Sequence, residues 1–355
     1  MSTIKTFCLI IAVLSLAATS GRAQTFNTLY SFPQGLTGNP QSLLLLSSNT
    51  LFGTTQNGYE GDGLVFGVNT DGSGFTNLYN LTGHAFPFDE GLVLSGRTLY
   101  GTTYDGGSNG LGEVFSVNTD GSGFTNLYSF SGSDGWFPGA GLLLSGSTLY
   151  GTTIYAGTGN YGNVFAVNKN GSGFMNVHTF NGSDGSNPYG PLVLSGSTLY
   201  GTTANGGSAA QGTVFAVNPD SSRFTNLYNF SSSVSGMNSD GISPRAGLLL
   251  SGSMLFGTTL EGGTNGYGTL FAINTNGSGF TNLHNFTGGT GGAGPRAVLA
   301  LAGTRLYGTT SDGTVFQINT KWQRLLRNRD LLRPACFGIG GVGKHTLWND
   351  GWRRR

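Results

Sequence analysis

Six copies of one five-residue phrase recur through this 355-residue chain: LFGTT at 51–55, LYGTT at 99–103, 149–153 and 199–203, LFGTT at 255–259 and LYGTT at 306–310. Their glycines step by 48, 50, 50, 56 and 51 residues. Self-similarity at such a period means one supersecondary unit used repeatedly, each copy burying its apolar face against the next. The repeat runs from residue 26 to 319, so residues 24–320 are one array and not two unrelated domains.

The stretch 91–130 serves as the type unit: GLVLSG, TLYGTT, a glycine-rich connection, EVFSVN, TDGSG and FTNLYSF. Four short runs rich in β-branched and aromatic residues, separated by turn residues, predict a four-stranded antiparallel sheet. Ser95-Gly96, Ser145-Gly146, Ser195-Gly196 and Ser251-Gly252 suit tight first-to-second connections. Asp71-Gly72, Asp120-Gly121, Asn170-Gly171 and Asn276-Gly277 suit the third-to-fourth hairpins. A calcium loop is the competing reading of NTDGSG, but it lacks the distal bidentate Glu, and the hairpin reading stands.

Sheets of this grammar predict an all-β fold, a β-propeller of four-stranded antiparallel blades. The first run, FNTLYSF at 26–32, has no blade before it, and the last unit ends at Asn319 without a fourth strand. Six blades result if the N-terminal strand completes the last one, which would remove both unpaired edges.

Residues 1–23 read as a signal peptide: Lys5, an apolar run from Phe7 to Ala18, then Gly21-Arg22-Ala23, with a mature start at Gln24. The expected address is secreted, periplasmic or cell-surface. The two cysteines are Cys8 inside the apolar run and Cys336 near the other end, so residues 24–320 hold no disulfide and no thiolate metal site.

Residues 321–355 carry nine Lys or Arg against two Asp, whereas 24–320 carry six basic and fourteen acidic groups, a net charge of −8. An acidic repeat body disfavours nucleic acid as a partner. The basic tail 321–355 has its own explanation. Shifted by one nucleotide, Lys344 to Trp352 permits the reading NTLYGTTGG, and Lys321 to Leu332 permits NGNGFYGIVTYF, a fourth strand. The tail is therefore expected to be disordered, a frameshifted seventh repeat whose ancestor closed with seven blades. The P-loop-like run Gly338 to Lys344 is then a decoy, since His345 stands where Ser or Thr would bind magnesium.

The second-to-third and fourth-to-first connections of an up-and-down blade emerge on one face, where loops on a rigid scaffold carry function. The ligand-binding candidates on that face are Asp134, Trp136, Asp184, Tyr189, Asp240 and Arg245, together with the cluster His84, Asp89 and Glu90. Tyr104, Phe137, Tyr155, Tyr161, Glu261 and Tyr267 accompany them. His178 and His284 occupy the place of Tyr79, Tyr128 and Tyr228 in sister units and read as strand residues. No nucleophile elbow, zinc motif or dinucleotide fingerprint occurs in the repeats, so neither a catalytic residue, a metal nor a cofactor is expected.

LYGTT, the Gly-Gly connection, VFxVN, DGSGF, TNLYSF and SGSDG, in fixed order over about 26–319, resemble the GloVer repeat of secreted bacterial choice-of-anchor proteins. The resemblance implies a surface or secreted propeller-like array and brings no enzymatic activity with it. Two functions follow as expectations. One is a monomeric, non-catalytic binding or structural module for an extracellular protein or glycan. The alternative is a carbohydrate-binding or carbohydrate-active protein using the acidic and aromatic loops.

Overall fold

The computed structural model describes residues 27–32, 38–40, 42–57, 62–82, 87, 91–157 and 159–320. The signal peptide 1–23, the tail 321–355 and the cluster His84, Asp89 and Glu90 lie outside the described residues. Each unit folds into an antiparallel sheet, giving six sheets in chain order, here numbered I to VI. Sheet II is typical, with strands Val93–Ser95, Thr98–Thr103, Glu113–Asn118 and Thr125–Ser129 paired in that order. Sheets III, IV and V repeat this four-stranded order. Sheet I adds a short strand, Gly38–Pro40, against the far end of Thr50–Asn57. Sheet VI has three strands, Ala300–Ala302, Arg305–Thr309 and Val315–Asn319.

The turns form as their residues dictate. In the third-to-fourth hairpins Gly72, Gly121, Gly171 and Gly277 take φ between 82° and 85°. The preceding Asp or Asn carboxyl or amide oxygen accepts from the Ser two residues on: Asp71 from Ser73 N at 2.9 Å, and Asn276 from Ser278 N at 3.0 Å. These bonds hold the carboxyls of Asp71, Asp120 and Asp220 below the usual carboxylate range, the Ser hydroxyl contributing most. The NTDGSG segments are thus Asx turns whose oxygens are engaged with their own backbone.

Within each sheet the phrase glycine faces a third-strand phenylalanine: Gly101 opposite Phe115, Gly151 opposite Phe165, Gly201 opposite Phe215 and Gly257 opposite Phe271. Those four rings are fully buried. Immediately before that Phe, the pairing of third and fourth strands slips by one residue in sheets I to V. A bulge at one fixed place adds local twist and turns each fourth strand toward the next sheet.

The core lies between consecutive sheets, not inside one. Phe52, Val65 and Leu78 of sheet I pack with Leu99, Phe115 and Val117 of sheet II, and the same arrangement recurs down to sheets V and VI. The fourth strand carries the joint. Tyr79 stacks on Phe124, Tyr128 on Phe174, His178 on Phe224 and Tyr228 on Phe280, each at 3.7 Å between centroids. His178 is a strand residue in the place of a tyrosine, as the repeat alignment implies.

Segment 27–32 packs on sheet I in the manner of a fourth strand from a preceding sheet. Tyr30 stacks on Phe75 at 3.8 Å, and Phe32 meets Phe66 edge-on at 5.1 Å, matching the 5.2 Å of Phe130 on Phe165. It carries no strand pairing among the described residues, so the expected fourth strand of sheet VI is not hydrogen-bonded there. The third strand of sheet VI alternates between exposed and half-buried where its sisters are buried throughout. No helix among the described residues is long and apolar enough to cross a membrane.

Candidate functional site

The connections between sheets are stitched into both neighbours. Phe137 N donates to Leu111 O of sheet II's long connection at 2.9 Å, and Ile154 N, at the end of sheet III's second strand, donates to Phe137 O at 3.0 Å. Asn187 bridges Tyr161 and Ala204 in the same way, at 2.7 and 3.0 Å, and Ser243 bridges Gln211 and Leu260, at 2.9 and 3.0 Å. The second-to-third and fourth-to-first connections therefore share one end of the sheets. At all three bridging residues the backbone is left-handed, with φ of 57°, 57° and 58°, and each precedes a proline, Pro138, Pro188 or Pro244. A non-glycine residue before proline ordinarily stays extended. Strain repeated at one place and held by paired hydrogen bonds marks a loop end kept in a fixed shape.

Three of the candidate aspartates, Asp134, Asp184 and Asp240, latch these loops. Asp134 accepts from the Tyr128 hydroxyl and from Ser131 N at 2.8 Å. Asp184 bonds His178 Nε2 at 3.0 Å and accepts from Asn181 N at 2.9 Å. Asp240, only 4% exposed, accepts from the Tyr228 hydroxyl at 2.8 Å, Ser231 N at 2.8 Å and Ser231 Oγ at 2.6 Å. Burial and then the neighbouring aspartate push the Tyr128 and Tyr228 phenols up. Burial lowers His178, and Asp184 opposes that shift. These three aspartates fasten fourth strands to the loops that follow them.

The other candidates come together. Tyr104 stacks on Phe137 at 4.3 Å, Phe137 meets Tyr155 edge-on at 6.1 Å, and Trp136 lies against Tyr155 at 5.8 Å, their backbones joined by a β-bridge. Tyr155 hydrogen-bonds the Tyr189 side chain, and the Arg245 guanidinium sits 4.9 Å from the Tyr189 ring centroid. Arg245 Nε donates to Ser243 Oγ at 3.2 Å, which fixes the guanidinium over the ring. Burial and Tyr155 raise the Tyr189 phenol, while Arg245 and Arg296 pull it back. Arg296 was not among the candidates read from sequence. The signal for it was present: Pro188-Tyr189, Pro244-Arg245 and Pro295-Arg296 occupy one position of the repeat.

Besides Asp240, one further carboxyl is buried among the described residues. Glu113 opens the third strand of sheet II, where sheets III, IV and V have Asn163, Thr213 and Thr269. Those residues bond the facing Thr153, Thr203 and Thr259 hydroxyls, and Asn163 and Thr269 also donate to the carbonyls of Asp134 and Asp240. Glu113 instead accepts from Asn126, leaving the buried Thr103 Oγ1 without a partner, and burial pushes its carboxyl up to about 7. Among the described residues no second acid acts on it. Among the described residues no three His, Cys, Asp or Glu side chains converge on one point. A cleft of about 600 Å³ between sheets I and II, at the hairpin end, is lined by Ser and Thr with Arg97 and Asp120, whose exposed pair is 3.9 Å apart.

These features define a class: a tandem array of antiparallel sheets with a stiffened aromatic and arginine row along its loop end. Residues 82–249 match the Gloeobacter/Verrucomicrobia repeat, so this stretch is a GloVer-type repeat, as the phrases resembled. No curated protein matches the chain. Among solved structures it is similar to a nidogen/laminin complex, with 16% identity, 71% of this chain and 81% of that chain covered, and a TM-score of 0.45. It is also similar to the tricorn protease, with 12% identity, 80% and 26% covered, and a TM-score of 0.45. TolB from Acinetobacter baumannii gives 15% identity, 68% and 52% covered, and a TM-score of 0.42.

Proposed function

We propose that the chain is an exported, non-catalytic β-propeller that binds its partner on the loop end of the sheets. The observation that carries this reading is the row Tyr104, Phe137, Tyr155, Tyr189 and Arg245, drawn from successive repeats and fixed by cross-sheet backbone bonds. Rigid aromatic groups with a polar tip are what a preformed binding surface needs. Asp134, Asp184 and Asp240, by contrast, are engaged in loop latches, which favours binding over the paired-acid chemistry of glycoside cleavage. Export is supported by the apolar run Phe7 to Ala18 followed by Gly21-Arg22-Ala23. Six blades are supported by segment 27–32, which meets sheet I as a fourth strand would, and by the missing fourth strand of sheet VI.

The test is an array of extracellular glycans and proteins, probed with the full chain and with Tyr155→Ala. Specific retention that Tyr155→Ala abolishes is the expected result. A blank array, or retention indifferent to the substitution, would remove the binding role, and turnover of an array glycan would remove the non-catalytic one.

A further inference from the structure

We propose that the loop row takes a carboxylate-bearing polysaccharide, its sugar rings lying on Tyr155 and Tyr189 and its uronate carboxylate held by Arg245 and Arg296. This rests on the reading of the loop end as a binding surface and names its ligand.

The charge distribution leads to it. Residues 24–320 carry only six basic groups against fourteen acids, yet two of the six arginine and lysine residues fall at one repeat position in sheets V and VI, next to Tyr189 at that position in sheet IV. Among the described residues only Arg97 faces a carboxylate, Asp120; Lys169 donates to Ser95 at 3.0 Å and Arg305 to Gln317 at 3.3 Å, and Arg223 stands outside the row. Arg245 and Arg296 have no carboxylate partner among the described residues. Arg245 donates its Nε to Ser243, and its terminal nitrogens have no bond among the described residues. Arg296 is exposed. Arg245 stands 4.9 Å from the centroid of the half-buried Tyr189 ring, and Arg296 holds the equivalent repeat position one sheet further on.

The chemistry of the row selects the ligand. A guanidinium stacked on an aromatic face is pre-oriented and presents a planar fork that matches a carboxylate better than a point charge would. The row extends from Tyr189 through Tyr155 toward Trp136 and Tyr104, and such rings offer stacking to the C–H face of a pyranose. The partner therefore has carboxylate at one place and apolar ring faces beside it. The negative charge of the whole body repels polyanions at long range, so charge density alone does not bring a ligand here.

The experiment measures binding of four probes to the full chain: an oligogalacturonate, a neutral cello-oligosaccharide of equal length, dextran sulfate and poly-glutamate. The oligogalacturonate is expected to bind at least tenfold more tightly than the other three. Arg245→Gln and Tyr189→Ala should each weaken it by tenfold or more, and Arg296→Gln by about three- to tenfold. Arg296 is exposed and makes no bond among the described residues, so its substitution reads the site with little effect on folding. Equal binding of dextran sulfate, tighter binding of poly-glutamate, or uronate binding indifferent to both arginine variants would overturn the proposal. If no probe binds while the array still yields a ligand lost in Tyr155→Ala, the ligand class fails and the binding module stands. If the array is blank as well, both fall.

Discussion

An alanine at position 201 would put its Cβ 2.5 Å from Phe215 Cζ and 3.0 Å from Leu192 Cδ2, and the same crowding holds at Gly101, Gly151, Gly257 and Gly308. None of these glycines has a positive φ. The third position of LYGTT is therefore glycine for room: it seats the ring of the opposing strand. Gly201→Ala should destabilise the chain by about 1–3 kcal/mol, read as a lower denaturation midpoint with Phe215→Leu partly relieving it in the double variant. The phrase was plain in the sequence, but its reason was not, because the opposing Phe is set by register across some 14 residues of chain. Glu113 gives a second test at this scale. Its carboxyl titrates near 7 in the fold against 4.5 in the open chain, so between these values the folded protein holds a proton that the unfolded chain has released. Stability from this group is present below pH 4.5, falls through the window and is lost above pH 7. Glu113→Gln should flatten that slope, and the gap between variant and wild type should grow by on the order of 1–3 kcal/mol from pH 5 to 8 in urea titrations.

The unit that the sequence displays as a sheet followed by a loop works as a sheet followed by a latch. Spacing alone marks Asp-Gly as a turn; that Asp134, Asp184 and Asp240 reach back to Tyr128, His178 and Tyr228 depends on how the loop folds over its own strand. The contact survives a change of length, being six residues in two copies and twelve in the third, which is why a fixed-spacing motif search does not find it. Asp240 is the most buried of the three and holds the longest insert. Asp240→Ala removes three acceptor contacts and leaves the Tyr228 and Ser231 donors unmatched, an expected loss of about 2–4 kcal/mol. Limited proteolysis should then cut within 231–243 before any hairpin is cut. Cleavage of the variant that begins at the hairpins would show that the latch does not hold the loop.

For the molecule as a whole, the repeat predicts sheets, their order and their packing, because each of those is decided between neighbours. Closure is decided between the chain's two ends of the array, about which local periodicity is silent. The structure supplies one half of the evidence in segment 27–32, where Tyr30 and Phe32 repeat the contacts of Tyr128 and Phe130. The other half is the third strand of sheet VI, whose Val315 is 57% exposed where Val114, Val164 and Val214 are fully buried. If the two belong to one blade, the register of sheet II carries over, and Ser116 opposite Thr125 becomes Gln317 opposite Asn27. Residues directly opposed in an antiparallel pair have Cα atoms about 4.5–5.5 Å apart, within reach of a disulfide. With Cys8 and Cys336 changed to Ser, Asn27→Cys combined with Gln317→Cys should cross-link under mild oxidation. The bridge would close nearly the whole array and stabilise it by several kcal/mol, about 5–6 on a chain-entropy estimate. Shifting one partner to Ile318→Cys points the thiol to the opposite face and should abolish the bond. A pair that stays reduced while the protein remains folded would mean that another strand, not 27–32, completes sheet VI, and the six-bladed ring would be abandoned for one with a further sheet between its ends.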